Sequence, residues 1–154
     1  MRLTIFTFVV FLISCSNANN DNRTSELEEV IYDYPDTLLA WEVNPDSLVM
    51  KRITIFPDSS ITLNRIVNGL NDKYPNVHIE LLKQSSDTVY INIPNSDYLG
   101  EQMGDAGSSA WFADATINLT SAPGVNYVSY KMDLHSHAES NVIGKDSYKS
   151  WKIK

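Results

Sequence analysis

Cysteine is almost missing from this chain. Cys15 is the only cysteine among 154 residues. A single thiol cannot form a disulfide within the chain, so the disulfide framework that holds many small secreted domains together is excluded. A hydrophobic core must therefore stabilise the fold, and Cys15 must serve another purpose.

The apolar run at the N-terminus is too short to span a membrane. Residues 3–13 are apolar or threonine and follow the positive charge of Arg2. These eleven residues, at a rise of about 1.5 Å each, cover roughly half of a bilayer core. The pattern is typical of an export signal, so we predict a signal peptide over residues 1–14.

The end of this run resembles the lipobox of bacterial lipoproteins. The four residues are Leu12, Ile13, Ser14 and Cys15. In a lipobox the cysteine becomes the new N-terminus and carries acyl chains such as palmitate on its sulfur, and several chains give stable anchoring. We predict lipidation of Cys15 and attachment to the cell membrane or outer membrane, outside the cytoplasm. The alternative is an ordinary signal peptide that is cleaved after Ala18.

Basic residues are scarce. Without Arg2, the mature chain has 11 basic and 19 acidic side chains, a formal charge of about −8. Nucleic acids and anionic lipid headgroups both require a basic surface, so this balance disfavours them as partners. We therefore predict no nucleic-acid binding.

The chain divides into four segments. After the signal, residues 15–47 comprise the lipidated cysteine, a polar tether and an arm interrupted by Pro35 and Pro45, for which we predict no regular structure. Residues 48–134 form the predicted domain, and residues 135–154 form a C-terminal tail with lysine and aromatic side chains.

Hydrophobic spacing predicts six elements in the domain. Strands are predicted at residues 49–56, 77–83, 88–93 and 125–134, and helices at about 61–74 and 108–122. The predicted fold is a single small α+β domain of β-α-β-β-α-β order, with a mixed sheet and two helices on one face. Strand alternation places one set of side chains in the core. This set is Val49, Ile53, Ile55, Val77, Ile79, Leu81, Val89, Ile91, Ile93, Val128, Tyr130, Met132 and Leu134.

The order of these pieces resembles the GerMN domain of sporulation, germination and lipoprotein families. The similar pieces are ITLNRIVNGLNDKYP, DTVYINIPNSDYLGEQMG, GSSAWFADATINLT and APGVNYVSYKMD, within about residues 53–130. The resemblance implies a fold related to the ring-building α/β motifs of envelope assemblies and implies no enzymatic activity. This chain carries one copy on a tether without further domains, so a spore-specific role is not implied.

Catalytic motifs are missing. We find no glycine-flanked serine elbow and no Ser-x-x-Lys, and a lipidated Cys15 is not a reactive thiol. The segment 104–108, GDAGS, precedes a helix but lacks the lysine of a phosphate loop, which favours a turn and helix cap. A carboxylate pair for glycoside hydrolysis could be drawn from acidic loop residues, but their separation is not set by sequence. These residues are Asp87, Asp97, Glu101 and Asp105.

One cluster of potential metal ligands lies at the end of the last predicted strand. Asp133, His135, His137 and Glu139 alternate along MDLHSHAES, so an extended chain would point all four to one side. Imidazole and carboxylate are zinc ligands. The same alternation places them on the outward face beside Lys131, which favours a solvated strand end. Zinc binding at this cluster is therefore the alternative hypothesis, and otherwise we predict no cofactor.

The sequence therefore predicts a lipid-anchored, non-catalytic binding or assembly module of the bacterial envelope. An open sheet face or a sheet edge would receive an envelope protein or a second copy of the chain. The alternative is a metal-binding or metal-dependent envelope protein that uses the Asp133 to Glu139 cluster.

Overall fold

The computed structural model describes residues 33–132 and 141–154, which contain seven strands and two longer helices. In chain order these are β1 (Trp41–Asn44), β2 (Val49–Arg52), α1 (Leu63–Lys73), β3 (Glu80–Ser85), β4 (Thr88–Ile93), α2 (Gly104–Leu119), β5 (Tyr127–Met132), β6 (Asn141–Gly144) and β7 (Lys152–Ile153). Short 3-10 turns occupy Asp58–Ser60 and Lys145–Tyr148, and a π-helical turn occupies Tyr98–Gln102.

The predicted single small α+β domain is confirmed, but the first predicted strand, β2, belongs to a second sheet and not to the main sheet. Four strands form a mixed sheet of order β3-β4-β5-β6, in which β4 and β5 are parallel and the outer pairs are antiparallel. Because α2 connects the two parallel strands, β4, α2 and β5 form a β-α-β unit at the centre of the fold.

One face of this sheet forms the core. Val89, Ile91 and Ile93 of β4 are fully buried, as are Val128 and Tyr130 of β5. They pack in one cluster with the buried sides of both helices. Strand alternation therefore predicted the buried face of these two strands correctly.

Helix α1 follows its sequence pattern closely. The hydroxyl of Thr62 accepts a hydrogen bond from the Arg65 amide, which caps the start, and Pro75 follows the end. Ile66, Val67 and Leu70 are buried at the predicted spacing. The helix packs on β3 and on α2.

Helix α2 is buried on nearly every side from Trp111 to its end, which an apolar face alone did not predict. Its apolar residues Trp111, Ala115 and Leu119 are in the core, but Asp114 and Asn118 are also almost fully buried. The reason is that α2 also packs against β1, which belongs to a second, three-stranded sheet of order β1-β2-β7. The helix therefore lies between two sheets.

Strand β2 is shorter than predicted, and the core positions predicted after it are wrong. Ile53 and Ile55 are 45% and 92% exposed. Beyond Arg52 the alternate set faces the protein instead, because the ring of Phe56 packs edge-on against that of Tyr34 at 5.2 Å. Alternation along a strand divides the side chains between two faces, but it does not decide which of the two faces is buried.

The arm and the tail contribute strands to the fold. Strand β1 comes from the segment predicted to be irregular and pairs antiparallel with β2. From the predicted tail, β6 extends the main sheet beside β5, and β7 pairs in parallel with β2. Within the described residues, no helix combines the length and the apolar character that a membrane crossing requires.

Candidate functional site

The predicted lipid and metal sites lie outside the described residues. This applies to Cys15 and to Asp133, His135, His137 and Glu139. Among residues 33–132 and 141–154, no group of three or more histidine, cysteine, aspartate or glutamate side chains is arranged to hold a metal ion. Both predictions therefore stay predictions.

The segment 104–108 is the first turn of α2 rather than a turn before it. The helix begins at Gly104, which has a φ of 65°, and the preceding Met103 makes no side-chain cap. The hydroxyl of Ser108 donates to the carbonyls of Gly104 and Asp105 at 3.0 and 3.2 Å. This hydroxyl is therefore occupied within the helix.

The four acidic residues considered for glycoside hydrolysis belong to different local structures. Asp87 lies in the loop between β3 and β4, where its carboxylate accepts a hydrogen bond from the side chain of Asn126 at 3.3 Å. Its backbone carbonyl accepts from the amides of Asn126 and Tyr127 at 2.8 and 3.0 Å. Asp97 and Glu101 flank or lie in the π-helical turn, and Asp105 lies in the first turn of α2. The contacts of Asp87 are those of a residue that joins two loops.

The second face of the main sheet lies outside the core of the fold. Strand register arranges this open face in three cross-strand rows. The rows are Ser85-Thr88-Tyr127-Gly144, Lys83-Tyr90-Ser129-Val142 and Glu80-Asn92-Lys131. Tyr127 is 46% exposed and Val142 is 57% exposed. Leu82, the extra residue of a bulge at the β3 edge, is 53% exposed.

Two aromatic rings on the open face have defined positions. A Cβ atom on Gly144 would lie 3.0 Å from the ring of Tyr127, so the missing side chain leaves room for this ring to lie across β6. On the same face, nearer the β3 edge, the Lys83 ammonium lies 4.8 Å from the centre of the Tyr90 ring. The face therefore presents ordered rather than freely rotating aromatic groups.

The charged row of the open face is also ordered. Asn92 lies between Glu80 and Lys131, and its amide nitrogen donates to the Glu80 carboxylate at 2.9 Å. This bond holds the carboxylate over the sheet. The two charges of opposite sign thus flank β4 at the same level.

The edge of the sheet at β3 is poorly suited to pairing with another strand. The bulge between Leu81 and Lys83 interrupts the register, and a lysine stands beside it. Bulges and lysines at edges are the usual protection against edge-to-edge association. The open face is therefore a better candidate for docking than this edge.

A buried charge network inside the fold is a structural rather than a reactive site. Asp114 is 1% exposed, and one of its carboxylate oxygens accepts from Lys73 and from the Tyr74 hydroxyl, both at 2.6 Å. The other oxygen accepts from Asn118 at 3.0 Å. Burial, then the hydrogen bond to Asp114 and its charge, raise the pKa of Tyr74. Because both oxygens are occupied, the network fixes α1 against α2.

A second polar group lies in the core between α2 and β5. The hydroxyls of Thr116 and Tyr130 are 2.9 Å apart, and both side chains are fully buried. Burial raises the pKa of Tyr130 far above its usual range, although the bond to Thr116 acts in the opposite direction. Burial also raises the pKa of Tyr148, whose hydroxyl interacts with Thr116. At neutral pH these hydroxyls are protonated hydrogen-bonding groups.

A cavity of about 330 Å³ lies between the end of α2, the three-stranded sheet and the turn Lys145–Tyr148. We call it the C-terminal pocket. Trp41 and Met50 line one side, and Ile117 of α2 lines another. Sequence reasoning missed this pocket because part of its wall, Trp41 and residues 145–153, comes from an arm and a tail for which no strand was predicted. The only sequence signal was the cluster of lysine and aromatic residues after position 144.

Comparison with known proteins gives no match. No protein-family model fits this chain, and no curated protein and no solved structure is similar to it at a significant level. The resemblance to the GerMN domain therefore stays a prediction from the sequence pattern. The site must be interpreted from its own residues.

Proposed function

We propose that this protein is a lipid-anchored bacterial envelope protein whose α+β domain is a non-catalytic binding or assembly module of the GerMN type. The observation that carries the proposal is the open face of the main sheet, where Tyr127 of β5 and Val142 of β6 remain about half exposed on adjacent strands and Leu82 is exposed at the β3 edge. Exposed apolar side chains on one face are typical of docking surfaces. The signal sequence and Cys15 support the anchor.

The occupant that this face fits is a second copy of the chain. Its three charged residues, Glu80, Lys83 and Lys131, have a net charge of +1, whereas the described residues together carry 13 acidic and 10 basic side chains. The open face therefore lacks the net negative charge of the described residues as a whole, so two copies that meet here do not bring excess acidic charge together.

The positions of the charges suit a twofold arrangement. Glu80 and Lys131 stand on the two strands that flank β4, at the same level. If two open faces meet about a twofold axis along β4, Glu80 of each copy lies opposite Lys131 of the other copy. A twofold interface repeats each contact, so this arrangement forms two ion pairs.

We expect the dimer to be weak in solution and stronger at a membrane. The apolar side chains are few, and solvated ion pairs contribute only about 0.2–1 kcal/mol each. Attachment through Cys15 confines the copies to a surface, which raises their effective concentration without any new contact.

Charge reversal tests the dimer. Glu80→Lys and Lys131→Glu should each raise the dimer dissociation constant about tenfold or more, because both ion pairs become repulsive. The double variant should restore it, since the pairs are re-formed with opposite sign. Sedimentation of the purified protein over a range of concentrations gives the constants, and cross-linking in cells gives the same ranking.

The matched control uses charges on the other sheet. Glu42 and Lys51 are exposed and face each other between β1 and β2, so their reversal should leave dimerisation unchanged. A protein that is monomeric at every concentration, or a double variant no better than the single ones, would show that this assembly is wrong.

The anchor has a separate test. A Cys15→Ser variant should move from the detergent phase to the aqueous phase in a phase-separation experiment, because it cannot be lipidated. A variant that still enters the detergent phase would contradict the anchor while leaving the dimer untouched.

A further inference from the structure

The C-terminal pocket is separate from the open face. We propose that it binds a small organic monoanion, a carboxylate attached to a hydrocarbon or aromatic body. Its volume of about 330 Å³ is at the lower end of the range for small-molecule sites and equals about ten water molecules. None of its lining residues belongs to the open face, so the inference stands independently of the proposed dimer.

The interior of the pocket is apolar. Trp41 of β1, Met50 of β2, Ile117 of α2 and Ile153 of β7 line it. Four different elements therefore converge on one apolar surface, and Trp41 is held there by backbone hydrogen bonds to Asn118. Such a surface gains free energy by covering a hydrocarbon or aromatic group.

Arg52 is fixed and neutralised at one side of the entrance. Its guanidinium forms an ion pair with Asp58 and lies 5.7 Å from the centre of the Trp41 ring. The stacked guanidinium extends the flat apolar wall of the pocket. It contributes little net charge because Asp58 balances it.

The other side of the entrance is positive. Lys145 and Lys149 line the pocket together with Asp146, and neither lysine forms an ion pair within the described part of the chain. One acidic group thus stands against two unpaired ammonium groups. In a protein with a formal charge of −7, this local excess of positive charge selects an anion.

The same charges limit the ligand to a single negative charge. Asp146 stands beside the two lysines and leaves an excess of about one positive charge at the entrance, so the charge of a polyphosphate or dianion would not be balanced there. A neutral molecule would leave the two lysines without a partner. A monoanion with an apolar body covers the apolar interior of the pocket and places its negative charge beside the lysines at the entrance.

Three probes of one shape test the proposal. They are 3-phenylpropionate, 3-phenylpropan-1-ol and 3-phenylpropylamine, which differ in charge but share the hydrocarbon body. In titrations of the full-length purified protein followed by amide NMR, 3-phenylpropionate should bind about tenfold tighter than the alcohol, and the amine should bind weakest. This factor is typical of one or two partly solvated charge pairs. The shifts should be confined to residues 117–121 and 145–153 and to the strands beside them.

Variants separate the charge from the apolar contribution. Lys145→Gln and Lys149→Gln should each weaken binding of the carboxylate about threefold and leave binding of the alcohol unchanged, whereas Lys51→Gln, an exposed lysine outside the pocket, should change neither. Ile153→Asp should abolish binding of the carboxylate, and Ile153 is 67% exposed, so the fold should tolerate the change.

Three outcomes would overturn the proposal. They are no shift at millimolar probe, equal affinity for the three probes, and shifts centred outside the pocket. Equal affinity would identify an apolar cavity without charge selection. Failure of the dimer test would not affect any of these results.

Discussion

The side chain of Asn118 pairs with the main chain of Trp41 as a neighbouring strand would. Its Oδ1 accepts a hydrogen bond from the Trp41 amide at 2.9 Å, and its Nδ2 donates to the Trp41 carbonyl at 3.2 Å. Oδ1 also accepts from the amide of Ala40 at 2.9 Å. One amide on α2 therefore attaches the three-stranded sheet to the helix.

Removal of this amide should be costly. Asn118→Ala leaves the amides of Ala40 and Trp41 without their partner, and each unsatisfied buried group costs about 1–3 kcal/mol. We expect a loss of about 3 kcal/mol in the free energy of unfolding, measured by urea denaturation. Asn76→Ala, in an exposed loop, is the control and should change the free energy by less than about 0.5 kcal/mol. An equal effect of the two changes would show that Asn118 does not hold the sheet.

Replacement of Gly69 by alanine should have the opposite effect on stability from the one that this substitution usually has in a helix. Glycine to alanine in an exposed helix interior normally stabilises by about 1 kcal/mol. A Cβ at position 69, however, would lie 3.0 to 3.2 Å from three backbone atoms of Leu38. Leu38 is buried and bonded to the Arg65 carbonyl at 3.0 Å, so it has little freedom to move away.

We therefore expect Gly69→Ala to destabilise the protein by about 1 kcal/mol, because overpacking costs more than the helix gains. Asn64→Ala, on the exposed side of the same helix, should stabilise it by a few tenths of a kcal/mol. Thermal denaturation of both variants measures the difference. A stabilising Gly69→Ala would mean that the arm at Leu38 is not held against α1.

Stability should decrease at alkaline pH through Tyr130. Burial raises the pKa of this hydroxyl in the folded protein, while in the unfolded chain it titrates near its ordinary value of about 10. Below pH 10 both states keep the proton, and the contribution of Tyr130 is constant. Above pH 10 the unfolded state releases its proton first, so the free energy of unfolding falls by about 1.4 kcal/mol per pH unit.

Tyr130→Phe should make this slope shallower, although the variant is less stable at neutral pH because Thr116 loses its partner. Urea denaturation between pH 8 and 11 measures the slope. Val128→Ala, at a buried position that does not titrate, should lower stability by the same amount at every pH. A slope unchanged in Tyr130→Phe would exclude Tyr130 as the source.

The metal hypothesis for the histidine pair can be tested by titration with zinc. If Asp133, His135, His137 and Glu139 hold the metal, calorimetry should show about one zinc per chain, and His135→Ala with His137→Ala should abolish binding. Affinity should fall below about pH 6, since protonated imidazole is not a ligand. His78→Ala is the control, because His78 is an exposed residue elsewhere on the chain. Binding that persists in the double variant, or no binding above buffer, removes the metal hypothesis.

Elements with a strong local period were predictable. Strand β4 occupies Thr88–Ile93 as predicted, with the predicted side buried. Helix α1 buries Ile66, Val67 and Leu70 at the predicted spacing and ends before Pro75. In both cases the hydrophobic period and the end signals lie within a dozen residues, so neighbouring segments are not needed to read them.

Elements that depend on a distant partner were not predictable. Strands β1, β6 and β7 contain four, four and two residues, and a segment of that length is a strand only when another strand lies beside it. The exposure of Ile53 and Ile55 has the same cause, because packing around Phe56 decides which side of the chain is buried. Both proposed sites depend on such partners, since the open face needs β6 and the pocket needs β1 and β7.

The sequence by itself determined the α+β class and the inward side of the central strands, because hydrophobic periodicity is a local property. Only the tertiary structure decided that α2 lies between two sheets. That placement is why Asp114 and Asn118 are buried and paired rather than solvated, since a polar side chain is buried only where distant groups supply its hydrogen bonds.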